Sequence, residues 1–208
     1  MIKFFNYFLV TFLFFFTPAY STNIKVFEFT KDELTNLKVR KVRGADEKTK
    51  YSVGDNENGN FLRAEANNSA SGLGKKITIN LVETPFLNIT WKVEKDLPGI
   101  NESSKKGHDY AARVFVVKKT GATPLSNRVM NYVFSSNKDV NTYHPSPFTK
   151  KSIDYVLSTT KDNFNEWVTV KVNVREHFKK FHNLNLEEIN GLAIMSDTDN
   201  SKLNSIAY

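Results

Sequence analysis

The sequence contains no cysteine. That excludes disulfides, thiol chemistry, thiolate metal ligands and a lipid-modified cysteine anchor, so the fold must be held by its core. Histidine is scarce: His108, His144, His177 and His182 are the only ones, and the last two stand five apart, not the i, i+4 of a helical zinc pair. There is no phosphate-binding glycine loop, no dinucleotide fingerprint and no G-x-S-x-G nucleophile elbow. Past the N-terminus no apolar run is long enough to span a membrane. A basic helix and base-stacking motifs are missing too. The net charge of +7 comes from scattered lysines such as Lys75–Lys76 and Lys105–Lys106 with acids between them. This describes a solvated surface, with weak affinity for anionic envelope polymers at most, and excludes nucleic acid as a partner.

What is present begins with "MIKFFNYFLVTFLFFFTPAYS", residues 1–21. One early cation, Lys3, precedes an apolar run, Pro18 and a small-x-small ending at Ala19 and Ser21. This is the layout of a secretory signal peptide and predicts a periplasmic or secreted mature chain. A membrane anchor is the alternative, but the run is short for one. Apolar residues at 40% and aromatics at 13% supply a core for a single domain over 22–208.

Period-two alternation dominates that region. In "KITINL" Ile77, Ile79 and Leu81 share one face; in "FLNITWKV" the inward set is Leu87, Ile89, Trp91 and Val93; in "WVTVKVNV" it is Val168, Val170, Val172 and Val174. Such segments are half-buried antiparallel strands. Further strands are expected at 24–29, 37–42, 51–53, 61–66, 111–118, 128–135, 153–158 and 191–195. Loops such as "GDNENGN", "DLPGINESSKKG" and "HPSPF" separate them. One short helix is expected at 175–181. The composite is an all-β, antiparallel jelly-roll β-sandwich with one short helix. "NSIAY" starts another alternation at Ile206 and Tyr208, so a last strand is expected to continue beyond it, leaving a sheet edge incomplete.

The phrases "FLRAEANNSASGLGKKI", "ITWKVEKDLPG", "GHDYAARVFVV", "MNYVFSSN", "VNVREHFKKFH" and "INGLAIMSDTDNS" follow in this order. Together they resemble the bacterial exported family described as domain of unknown function 3047, over roughly residues 27–208. The resemblance implies an exported β-sandwich similar to galactose-binding and carbohydrate-binding modules, without an established activity. It also implies a further aromatic-acidic strand after the last motif. Two departures are His108–Asp109, where the family tends to have paired acids, and His177, where it tends to have an acid. Any metal or acid–base role of those acids is put in doubt here.

The polar positions each have two readings. Asp109 and Arg113 can share one strand face with Phe115; Arg113 then either meets a carboxylate or sugar hydroxyls of a ligand, or forms a buried ion pair. Asn131, Val133 and Ser135 form a mildly polar strip, with Tyr132 or Trp91 as a platform for a sugar ring, unless those aromatics are core. His144, in a proline-stiffened loop, is a candidate general base. Asp109, Glu166, Asp197 and Asp199 are candidates for a glycosidase carboxyl pair. "DTDNS" fails as an EF-hand because Lys202 and Tyr208 stand where glycine and glutamate are needed. It is a turn, a ligand contact or a structural calcium site.

The expectation is therefore a non-catalytic exported module that binds a polar ligand, a glycan first. Trp91, Asp109, Arg113, Asn131, Tyr132, Asp197 and Asp199 are its candidate contacts, and no cofactor is expected beyond that calcium. One rival is an envelope polysaccharide-acting hydrolase or lyase using Asp109 or His144. The other is a structural envelope protein that binds proteins.

Overall fold

The computed structural model describes residues 23–208, and the signal-peptide expectation lies outside the described residues. The strands are β1 (Lys38–Lys41), β2 (Lys50–Asn56), β3 (Gly59–Asn67), β4 (Ala70–Asn80), β5 (Phe86–Trp91), β6 (Val93–Lys95), β7 (Ala112–Lys118), β8 (Arg128–Ser135), β9 (Tyr143–Ser146), β10 (Thr149–Thr159), β11 (Val168–Asn173), β12 (Glu188–Asp197) and β13 (Asn204–Ala207). The helices are α1 (Lys31–Asn36), α2 (Thr160–Asn163) and α3 (Val174–His182). The chain is mostly β, as its alternation predicts.

Seven strands form one sheet in the order β1-β4-β12-β7-β8-β10-β9. Facing it are a four-stranded sheet, β2-β3-β13-β6, and a two-stranded one, β11-β5. One core joins them. Val114, Val116, Tyr132, Phe134 and Leu192 come from the large sheet, and Ile89, Trp91, Val93, Val172 and Ala207 from the small ones. The alternation read from the sequence points these side chains inward.

The pairing is not wholly antiparallel. β10 runs parallel to β8, with Asn131 beside Asp154 and Tyr132 beside Tyr155. The chain between them turns back through β9, which pairs antiparallel to β10, so β10 enters beside β8 in the same direction. β9 was expected to be loop because of its prolines; an edge strand tolerates Pro145 because one side of the ladder needs no donor. Residues 24–29, expected as a strand, pair with none. Val26 and Phe27 pack on the core instead, and Lys75 Nζ donates to the Val26 carbonyl at 2.7 Å. β13 lies between β3 and β6, so the strand begun by "NSIAY" is internal to its sheet.

The helix expected at 175–181 is α3. Asn173 caps it by accepting from the Glu176 N–H at 3.1 Å, and Asn183 ends it at φ 54°, a left-handed conformation asparagine tolerates. Its Phe178 is fully buried, while His177 packs against the rings of Tyr155 (4.5 Å between centroids), Tyr132 and Phe181. Among the described residues no helix is long and apolar enough to cross a membrane.

Burial lowers the pKa of His177 to about 4, and Lys180 adds to the shift. Below its ordinary pKa near 6.5 the unfolded chain binds a proton that the folded chain refuses. The stability His177 contributes is thus present above pH 6.5 and lost as pH falls toward 4. An NMR titration of the imidazole is expected to show a midpoint near 4, and His177→Gln is expected to flatten the fall of Tm across that window.

Candidate functional site

Residues 96–111, between β6 and β7, fold over the outer face of the large sheet. The Tyr110 ring packs there on Val133 and Val156. Glu102, 1% exposed, accepts from Ser135 Oγ at 2.6 Å, the Ser136 N–H at 2.9 Å and Asn137 Nδ2 at 3.2 Å. The fold-back needs glycine at 107, where a Cβ would stand 2.7 Å from the Asn101 carbonyl oxygen and 2.9 Å from its backbone nitrogen. The polar strip Asn131, Val133 and Ser135, expected to be open, is covered and fully buried.

Two polar groups meet under this cover. In the first, Arg113 on β7 lies opposite Met195 on β12, so Asp197, two residues on, shares its face. The guanidinium donates to Asp197 Oδ2 and lies 5.4 Å from the Tyr110 ring centroid and 5.3 Å from that of Phe115. The Tyr110 N–H reaches Asp197 Oδ1 at 3.2 Å. Asp109 accepts from the Ser201 N–H at 2.6 Å and from Asn200 Nδ2 at 2.8 Å. In the first place, then, "DTDNS" is a turn that Asp109 staples to β7's approach.

Each of Asp109, Asp197 and Asp199 brings a carboxylate oxygen within 4.8 Å of the others, the first two buried and Asp199 half-buried. These are the residues that could hold a cation, although Asp109 and Asp197 are already engaged by N–H donors. Desolvation raises the pKa of Asp197 above the usual carboxylate value, the Arg113 guanidinium opposes the rise and favours the charged form, and Asp109 adds to the rise. Asp199 rises for the same reason, with a further push from Asp109.

The second group centres on Asp154 of β10, which has no exposed surface. His108 Nε2 lies 2.6 Å from its Oδ2, and Asn131 Nδ2 donates to its Oδ1 at 2.5 Å. His144 Nδ1 is 3.6 Å from Oδ2, and its Nε2 is 3.3 Å from the Tyr110 hydroxyl. Tyr110 thus touches both groups. Arg113 Nε and Asn131 Oδ1 are buried without a hydrogen-bond partner. Phe115, directly across the strands from Asn131, is half-buried. Phe148, edge-on to His108 at 5.5 Å, is 58% exposed. The polar cluster therefore lies about one side chain beneath the surface.

Of the residues expected from the sequence, Asp109, Arg113, Asp197 and Asp199 converge and Asn131 joins the adjoining group. Trp91 and Tyr132 do not. Trp91 is 2% exposed, packs on Phe134 and donates its Nε1–H to Ser158 Oγ at 2.9 Å. Tyr132 points from β8 toward the inter-sheet core, away from Asn131, because neighbouring residues on a strand face opposite ways. Neither ring is a surface platform. Glu166 is exposed just ahead of β11, in the other layer. Sequence reasoning missed Glu102, His108, Tyr110, Asp154 and Phe148 as members. The available signal was Asp154, an acid within the apolar strand "SIDYVLS".

Breaking the buried pair leaves an unpaired charge, so Arg113→Met or Asp197→Leu alone is expected to cost about 3–5 kcal/mol, and the double variant distinctly less than the sum. Urea denaturation of the four proteins checks this.

Comparison with curated proteins gives no match. The model of the family described as "Protein of unknown function (DUF3047)" matches residues 35–208, and the chain belongs to that family.

Proposed function

We propose that the protein is an exported, non-catalytic module that binds an uncharged, hydroxyl-rich ligand of the glycan class at the outer face of the large sheet. One observation carries this reading: Arg113 Nε and Asn131 Oδ1, a donor and an acceptor on one face of adjacent strands, are buried and unpartnered. A hydroxyl gives and takes one hydrogen bond each and suits such a pair. The carboxylates of Asp197 and Asp154 flank the position and oppose an anion, while the Arg113 guanidinium opposes a cation. The rim supplies exposed ring surface at Phe148 for the C–H face of a sugar. Two layers of sheet around one core are also the frame of carbohydrate-binding jelly rolls, from which the parallel β8–β10 pair departs.

A hydrolase or lyase is favoured by one observation only, the placement of His144 between the Tyr110 hydroxyl and Asp154. Tyr110 and Asp154 are themselves buried, which leaves His144 as the accessible member of that chain.

Thermal shift with neutral and uronic-acid oligosaccharides, and separately with calcium, tests the proposal. A neutral sugar is expected to raise the midpoint, with about 2.7 kcal/mol of stabilisation at a hundredfold excess over its Kd. Asn131→Leu is expected to abolish the rise, while His144→Ala retains it. A response to calcium alone, or to no sugar, would overturn the proposal; sugar turnover that His144→Ala removes would establish the enzyme.

A further inference from the structure

The sequence contains two Asn–Gly steps, Asn58–Gly59 and Asn190–Gly191. Such a step is reactive, because the nitrogen of the following residue can attack the asparagine carboxamide and glycine has no side chain to hinder it. Closing that ring requires the chain to rotate about the Cα–C bond of the asparagine. The structure places the two steps in opposite surroundings.

Asn190 lies in β12, where the register of β12 against β4 shifts. Both ends of its carboxamide are held. Oδ1 accepts from the Lys119 N–H at 3.0 Å, and Nδ2 donates to Glu188 Oε1 at 3.0 Å. Gly191 is buried and paired on both sides, with Val117 of β7 and Lys76 of β4. A Cβ at 191 would stand 3.2 Å from the Lys75 carbonyl oxygen, so the neighbouring backbone is packed closely. Rotation at Asn190 has to open two ladders at once.

Asn58 is the second residue of the turn Glu57–Asn58 that leads β2 into β3. The rung beneath the turn pairs Asn56 with Gly59, and Asn56 Oδ1 accepts from the Asn58 N–H at 2.9 Å. Residues 55–60 are exposed. Gly59 sits at φ 108°, and no atom lies within 4 Å of the place a Cβ would take. Only the terminal rungs of a hairpin resist rotation here, and such rungs open at the low end of the local free-energy range.

We propose that Asn58 is a site of spontaneous deamidation and isoaspartate formation, and that the fold protects Asn190 from the same reaction. The Gly59 nitrogen gives up its proton to solvent base and attacks Asn58 Cγ. The new C–N bond closes a succinimide, and the carboxamide nitrogen takes a proton from solvent and leaves as ammonia. Water then opens the ring. Attack at Cγ leaves aspartate, whereas attack at the backbone carbonyl carbon leaves isoaspartate, with the chain running through Cγ. Either product adds a negative charge beside Asp55 and Glu57. Isoaspartate also lengthens the main chain within a turn whose length sets the register of β2 on β3. The site lies in the smaller layer and does not depend on the glycan proposal.

The test ages the whole protein in neutral buffer, folded and in urea, and follows the tryptic peptides 51–63 and 181–202 by mass for exchange of NH by O. Asn190 must first lose two side-chain hydrogen bonds and its ladder pairing, so in the folded protein Asn58 is expected to convert at least about tenfold faster. In urea the two rates are expected to converge. An isoaspartate-specific carboxyl methyltransferase is expected to label peptide 51–63, and Asn58→Gln to abolish that label. An unchanged peptide 51–63, conversion at Asn56 or Asn60 instead, or no isoaspartate label would overturn the site. Equal rates in the folded protein, or a difference that persists in urea, would overturn the protection of Asn190 by the fold.

Discussion

Burying the Arg113 guanidinium on its own would cost several kcal/mol, and its neighbours meet the conditions that make the burial tolerable. Asp197 supplies the opposing charge and is held in turn by the Tyr110 N–H. The rings of Tyr110 and Phe115 cover the two flanks of the cation. Tyr110 can do this only because residues 96–111 fold back at Gly107 and are tied to β8 through Glu102. The covering loop, the acidic turn after β12 and the centre of the large sheet therefore form one electrostatic unit.

The two faces of that sheet follow different rules. Its inner face is apolar and meets the opposing layer through shape, and a lost side chain there leaves a cavity. On the outer face burial is achieved by pairing polar groups, among them Asp154 with His108 and Asn131. There a lost side chain strands its partner. Neighbouring residues of β8, Asn131 and Tyr132, belong to these separate regimes, so their substitutions should not be interpreted in the same way.

Local periodicity made much of the fold legible. The alternation in "KITINL" and "WVTVKVNV" located β4 and β11, and Phe178 and Phe181 marked α3. α1 was legible but overlooked: Thr30 and Glu33 have the spacing of a capping box, and Thr30 Oγ1 accepts from the Glu33 N–H while Glu33 Oε2 accepts from the Phe29 N–H just before the cap. The parallel pairing of β8 and β10 could not be read, because pattern gives the face of a strand and not its neighbour. In the site, Asp109, Arg113, Asp197 and Asp199 stood out as charges beside apolar runs. His108, Tyr110 and Asp154 did not, because their association depends on how one loop crosses a sheet. Trp91 and Tyr132 were the opposite case, since a strand's alternation does not say which of its two faces is covered by the other layer.

The position of β13 bears on when the fold can close. Its residues 204–207 lie between segments near 64–67 and 93–95, so the middle of the smaller layer is completed by residues synthesised more than a hundred positions after its flanks. Until then β3 and β6 each present an open edge, and the core beneath is covered on one side only. Sheets closed by such distant pairings form slowly and expose sticky intermediates. On a ribosome, the nascent chain would have to be kept from aggregating through those edges until β13 emerged.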